Sequence, residues 1–207
     1  YEARYGGSNM DPATLSINTT RGEAMHTVIR YALWVRRHLE KLPNAKQQLA
    51  HGFAEMPEVS DVLNKHLNVS QDPSLAIRAV YGQWFPWLVL IDTAWATEHL
   101  NRIFPSIDSE RALQDAAWET YILFCAPYDN VFKILRGQYA LAIERLDETP
   151  YQRRQLDDPQ RHLAEHLMTF YWHGELKSDD ANGLLTKFWS KASDELRGNA
   201  LEFIGRS

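Results

Sequence analysis

Residues 129–147 read DNVFKILRGQYALAIERLD, and this stretch indicates most clearly which kind of fold the chain adopts. Its apolar side chains recur at steps of three and four residues: Phe132, Leu135, Tyr139, Ala142, Ile143 and Leu146. A helix places side chains with this spacing on one face, which is then buried against neighbouring helices. The stretch therefore predicts an amphipathic helix packed in a helical protein.

Helical patterns of the same kind fill most of the chain, and proline often marks where one ends. The further segments are 21–42, 45–54, 58–68, 72–91, 93–104, 109–125, 158–174 and 181–204. No segment alternates polar and apolar residues with the two-residue period of a strand. The sequence therefore predicts an all-α fold.

Capping patterns predict where some of these helices begin. Thr20 with Glu23 forms a capping box, in which each side chain satisfies a backbone N–H at the helix end. Asp72-Pro73 and Asp158-Pro159 each place an N-cap carboxylate before a first-turn proline. Pro86 lies inside the helix that follows Asp72, so we expect a kink or a break there.

Three residues at the start of the 21–42 segment suggest specific contacts. Asn18 is expected to bond its own local backbone. Arg21 is poorly placed against the positive end of the helix dipole, so its side chain should reach a carboxylate or the carbonyls of an adjacent helix. Gly22, in a first turn, predicts a close approach between two backbones.

The spacing of the helices suggests a repeat architecture. Helix pairs recur at roughly 35 to 45 residues, within the range of HEAT and armadillo arrays. We therefore predict an all-α HEAT/armadillo-like helical repeat array, with an irregular helical bundle as the alternative. No polar linker divides residues 1–207, so we expect a single helical domain. Its opening at Tyr1 and its end at Ser207 suggest a fragment of a larger protein.

Composition narrows the classes of function. The net charge of −5 argues against a dedicated nucleic-acid binder. The single cysteine, Cys125, excludes an intrachain disulfide and fits a reducing, cytoplasmic setting. Cys125 follows an apolar stripe, so we interpret it as a buried small side chain rather than a nucleophile. No apolar run approaches the roughly eighteen residues that cross a bilayer, so we expect no membrane partner.

The segment His162-Leu163-Ala164-Glu165-His166 matches the inverted zinc-protease motif H-x-x-E-H. On a helix, His162 and His166 lie one turn apart and could share a metal, with Glu165 beside them. Such proteases take a further glutamate ligand from far downstream, and only 41 residues follow His166. We therefore expect no metal and no cofactor, and keep a metal-dependent hydrolase as an alternative function.

The densest aromatic cluster is Trp84-Phe85-Pro86-Trp87. Adjacent bulky side chains on a helix point in different directions, so at least one should face sideways or outward. Trp often anchors protein interfaces, although helices packed on both sides would bury these rings instead. The 21–42 helix is also basic on one side. Our candidate interaction residues are Trp84, Phe85, Trp87, Arg30 and Arg37.

A nucleic-acid-binding helical array is a further alternative. It would need five cations to converge on one surface: Arg30, Arg37, Lys41, Arg153 and Arg154. Against 27 acidic residues, these cations are expected to form solvated faces or ion pairs.

Two stretches resemble helical regions of a family of large bacterial proteins. Residues 16–24, SINTTRGEA, are similar to an N-x-x-R-G-x-A opening, and residues 72–79, DPSLAIRA, to a D-P-S-x-A-V-R-A pattern. In that family a signal-transducing nucleoside triphosphatase core often precedes a HEAT-like array, and several members are linked to anti-phage defence. The resemblance implies that Asp72 caps a helix and that Arg78 packs across the repeat. It carries over no catalytic residue.

Together these features predict a non-catalytic interaction or sensor module of a larger bacterial protein. Its partner would be another protein or another domain of the parent chain.

Overall fold

The computed structural model describes residues 10–148 and 158–206, and within these ranges the chain is helical with no strand. The all-α prediction is confirmed. The α-helices of the described ranges are α1 (Pro12–Asn18), α2 (Thr20–Leu39), α3 (Ala45–Ala50), α4 (Pro57–His66), α5 (Leu75–Ile91), α6 (Thr93–Glu98), α7 (Leu100–Ile103), α8 (Arg111–Phe124), α9 (Asp129–Glu144), α10 (Pro159–Trp172), α11 (Leu184–Lys191) and α12 (Asp194–Arg206). Short 3-10 helices cover Gly52–Glu55 and Asp108–Glu110. None of these helices combines the length and the apolar character that a bilayer span requires.

The helices divide into two compact units, with the boundary between Tyr121 and Ile122 inside α8. In the first unit, α5 packs against α1 and α2, and α1 also packs against α2. In the second, α9 packs against α11 and α10 packs against α12. The single domain and the HEAT-like array remain predictions.

The helix cap predicted from an Asp-Pro pair is correct at Asp158 and wrong at Asp72. Asp158 caps α10 as predicted, because its carboxylate accepts a backbone N–H bond at 2.9 Å and Pro159 follows. Before α5, however, Ser74 is the cap, and its hydroxyl accepts the Ile77 N–H at 3.2 Å. Asp72 lies two residues too early to cap the helix. Its carboxylate instead bonds Arg21 and His66.

The start of α2 also differs from the predicted capping box. Thr19 caps the helix by accepting the Gly22 N–H at 3.2 Å, so the prediction of Thr20 is wrong by one residue. Asn18 bonds the Thr14 carbonyl at 3.0 Å, as predicted. Helix α1 before it was not predicted, although Asp11-Pro12 carries the same signal as Asp158-Pro159.

Several predicted breaks and lengths are corrected. Pro86 does not split α5, which is one helix from Leu75 to Ile91. Buried residues cover most of α5, and their packing outweighs the cost of an internal proline. The predicted helix 93–104 is two helices, α6 and α7. The predicted helix 181–204 divides into α11 and α12, because Ser193 caps the last helix through the Leu196 N–H.

Two glycines allow helix backbones to touch in the first unit. A Cβ atom at Gly22 would lie 1.8 Å from the Ser16 carbonyl oxygen, so the predicted close approach is confirmed. A Cβ at Gly82 of α5 would lie 1.9 Å from the carbonyl oxygen of Ala117 on α8. Neither contact has room for a side chain. Gly22 therefore permits the close packing of α2 on α1, and Gly82 that of α5 on α8.

Candidate interaction surface

A chain of buried and part-buried hydrogen bonds joins α1, α2 and α5. The indole N–H of Trp84 donates to Nδ1 of His26 at 2.7 Å, and Nε2 of His26 lies 3.0 Å from the Ser16 hydroxyl. The Ser16 hydroxyl in turn donates to the Ala13 carbonyl at 2.7 Å. Since Nδ1 accepts from the indole, the proton of the neutral ring lies on Nε2 and points to Ser16.

This network resembles a serine–histidine pair but has the wrong polarity for nucleophilic catalysis. A general base must accept the serine proton, whereas here Nε2 donates to Ser16. Burial also lowers the pKa of His26, which keeps the ring neutral. We conclude that His26 and Ser16 hold the Trp84 side chain in place rather than perform catalysis.

His166 of the H-x-x-E-H motif also belongs to the core. The Tyr139 hydroxyl lies 2.7 Å from Nδ1 of His166, and the backbone of Cys125 forms a further hydrogen bond to the ring. Burial lowers the pKa of His166 to about 4. His166 therefore stays neutral, with its ring fixed inside the second unit by these bonds.

The other two residues of the motif lie on the outer side of α10. Nδ1 of His162 is 3.8 Å from Oε2 of Glu165, and Glu165 also accepts a bond from Arg161 at 3.2 Å. The motif thus brings His162 and Glu165 together but directs His166 to Tyr139. No group of three or more His, Cys, Asp or Glu side chains with metal-binding geometry occurs in residues 10–148 and 158–206.

Cys125 is partly buried after the end of α8. Burial raises the pKa of its thiol, so the reactive thiolate is disfavoured. This environment is unsuited to a nucleophile.

The two residues singled out by the family resemblance make buried polar contacts. Asp72 accepts bonds from Arg21 at 2.6 Å and from His66 at 2.5 Å, so the prediction that Arg21 reaches a carboxylate is confirmed. Arg78 is buried, and its guanidinium donates to the Arg102 carbonyl. These contacts hold the first unit together, although Asp72 does not cap a helix as the resemblance implies.

The aromatic cluster on α5 divides between the core and the solvent. Phe85 is 0% exposed and packs edge-on against Phe104, so its selection as an interaction residue is wrong. Trp87 is 40% exposed, which confirms that at least one ring of the cluster faces outward. Leu90, three residues on, is 46% exposed and shares that face. Trp84 is half-buried beside it.

Helix α2 adds a second set of exposed rings. Trp34 is 54% exposed and lies between two other rings, with centroid distances of 6.1 Å to Tyr31 and 4.1 Å to His38. We did not select Trp34 from the sequence. Its exposure could have been predicted, because Trp34 lies among charged residues on the side of α2 opposite the apolar stripe of Met25 and Ile29.

Arg30 connects the two sets of rings. Its guanidinium lies 5.9 Å from the centre of the Trp84 ring, in a cation–π contact. Arg30 and Trp34 are also four residues apart on α2, and Trp84 and Trp87 three apart on α5, so each pair is adjacent on its helix. We call the resulting row the α2–α5 surface. It consists of Arg30, Trp34, Arg37, Trp84, Trp87 and Leu90.

The cations of the nucleic-acid alternative are only partly described. Arg30 and Arg37 lie about two turns apart on the same side of α2, and Lys41 follows the end of the helix. Arg153 and Arg154 lie outside the described residues. Their convergence with α2 stays a prediction.

Comparisons with known proteins give no relative for this chain. No protein-family model, no curated protein and no solved structure matches it. The interpretation of the surface therefore depends on its own residues.

Proposed function

We propose that the chain is a non-catalytic interaction or sensor module that binds a partner protein, or another domain of its parent, through the α2–α5 surface. The observation that carries this proposal is the row of partly exposed tryptophans, linked by Arg30 stacked on Trp84. Tryptophan and arginine supply most of the binding energy in many interfaces, and contiguous exposed apolar groups mark interaction sites.

The rigidity of the row supports the same function. Trp84 is fixed by its bond to His26, and Trp34 lies between two rings of its own helix. A side chain that is already ordered loses little conformational entropy when a partner binds. The surface is therefore preorganised for recognition.

We further propose a HEAT-like array in a larger cytoplasmic bacterial protein of the defence type. The helical content and the similarity of residues 16–24 and 72–79 to that family support this proposal. A reducing compartment is supported by the single cysteine.

Site-specific photo-crosslinking in the cells that express the protein tests the proposed surface. The photoreactive amino acid p-benzoylphenylalanine replaces Trp87 in one variant and the exposed Lys177 of the second unit in a control. We expect one discrete adduct from position 87 and none of the same size from position 177. Equal labelling at both positions, or no adduct at position 87, would reject the surface as a binding site.

A further inference from the structure

The α2 half of the surface combines an exposed aromatic side chain with positive charge. We propose that its occupant is an acidic segment of a partner protein, in which an apolar side chain contacts Trp34 and carboxylates pair with Arg37 and Lys41. This inference rests on the proposed function, because it names the chemistry of the partner that the α2–α5 surface binds.

Positive charge is concentrated here although the chain as a whole is acidic. Residues 30–41, RYALWVRRHLEK, contain four cations and one carboxylate, whereas the whole chain has a net charge of −5. A local patch of one sign attracts segments of the opposite sign and directs their approach.

Two of these four cations already have partners. Arg30 pairs with Glu23 at 3.5 Å, and Arg36 pairs with Glu40 at 3.3 Å. Arg37 and Lys41 are exposed, and neither forms an ion pair with a described residue. One turn separates them along the chain. They are therefore the cations that remain to bind carboxylates of a partner.

The apolar contact is supplied by Trp34. Its neighbour Tyr31 is held in place because the Tyr31 hydroxyl donates to Glu58 at 2.9 Å. The indole is thus supported by a fixed ring on one side and by His38 on the other. An ordered indole near two cations that pair with no described carboxylate fits an acidic segment that contains an apolar residue.

The same geometry disfavours a nucleic acid as the occupant. Bases bind to proteins by stacking on free faces of aromatic rings, and the rings of Tyr31 and His38 already pack beside Trp34. A phosphate backbone also requires several cations along its path. Among the four cations of residues 30–41, only Arg37 and Lys41 pair with no described carboxylate.

A random dodecapeptide library displayed on phage tests the proposal with the full 207-residue chain as bait. We expect the selected peptides to be rich in Asp and Glu around an aromatic or aliphatic residue. Synthetic copies should bind the R37E/K41E variant about tenfold more weakly or worse, and raising the salt concentration should weaken binding to the natural chain. The matched control is K65E/K177E, which changes the net charge equally at exposed lysines elsewhere.

Two further results separate this inference from the proposed function. Peptides that lose binding in W34A and W87A variants but carry no excess of acidic residues would overturn the acidic partner and keep the interaction surface. A selection whose peptides ignore both tryptophans, or that yields no peptide, would overturn both. A fluorescent single-stranded oligodeoxythymidylate that binds the natural chain but not R37E/K41E would replace the acidic segment with a nucleic acid.

Discussion

Arg21 and Asp72, fifty-one positions apart, form a hydrogen-bonded ion pair of 2.6 Å in which the carboxylate is 2% exposed. The same carboxylate also accepts a bond from His66 at 2.5 Å. The pair connects the start of α2 to the segment before α5. It therefore contributes to the fixed relation between the two helices that carry the proposed binding surface.

Removing the negative charge of Asp72 should destabilise the first unit. We expect Asp72→Asn to lower the free energy of unfolding by roughly 2 to 4 kcal/mol, because Arg21 and His66 lose a buried acceptor. Arg21→Gln should cost less, since the arginine is about half exposed. Urea denaturation measures both, with Asp61→Asn on the exposed side of α4 as the control. If Asp72→Asn lowers the free energy of unfolding no more than Asp61→Asn does, the buried carboxylate does not stabilise the fold.

The contact between α5 and α8 at Gly82 should tolerate no side chain. Gly82→Ala places a Cβ atom 1.9 Å from the Ala117 carbonyl oxygen, so the helices must separate. We expect a loss of about 3 kcal/mol or more. Gly137→Ala is the matched control, since no atom lies within 4 Å of a Cβ there, and it should stabilise α9 by up to about 1 kcal/mol. Thermal unfolding followed by circular dichroism measures the stability of both variants. A Gly82→Ala variant as stable as the natural chain would refute the close contact.

Burial of His166 should make stability depend on pH. The pKa of the imidazole is about 4 in the folded chain and near 6.5 when unfolded, so between these values the unfolded chain binds more protons. The contribution is complete above the unfolded pKa and is lost as the pH falls towards 4. Acidification from about pH 7 to about pH 5 should remove about 2 kcal/mol.

The variant His166→Asn isolates this contribution, because its amide replaces the ring nitrogen that bonds Tyr139 but does not titrate. We expect the variant to be less stable at neutral pH and to show a flatter pH dependence in urea denaturation. Parallel curves for the variant and the natural chain would mean that His166 is not held neutral by the fold.

The outer residues of the H-x-x-E-H motif should matter little for stability. His162 is partly exposed and lies 3.8 Å from Glu165, so His162→Ala should cost less than about 1 kcal/mol. His166→Ala should cost several times more, because it removes the hydrogen bond between His166 and Tyr139 and opens a cavity. Elemental analysis of both variants beside the natural chain completes the test. A stoichiometric metal that is lost in His162→Ala would restore the hydrolase alternative.

The periodic features of the fold could be predicted from the sequence, because they depend on residues close together in the chain. The stripe from Phe132 to Ile143 and the cap at Asp158 depend on spacing within one helix, and both are correct. Leu146, the last residue of the predicted stripe, lies beyond the end of α9 at Glu144. The breaks near His99 and Ala192 depend on competing local bonds. They were missed because apolar periodicity continues across them.

Long-range relations were accessible only where a residue was locally unfavourable. Arg21 at a helix start and Gly22 in a first turn indicated contacts elsewhere, and the structure supplies Asp72 and Ser16 as their partners. Nothing local distinguishes Phe85 from Trp87, since the burial of Phe85 depends on tertiary contacts such as the one with Phe104. Trp34 was overlooked for the converse reason, because its 54% exposure depends on how the helices pack and not only on its neighbours in the sequence.

Binding of a partner through the α2–α5 surface is tested most directly by the photo-crosslink from position 87. We expect a discrete adduct at that position that disappears when Trp34 is replaced by Ala, while the control at Lys177 gives no adduct of that size. An adduct that forms equally well without Trp34, or equally well from position 177, would contradict the assignment of this surface as the binding site.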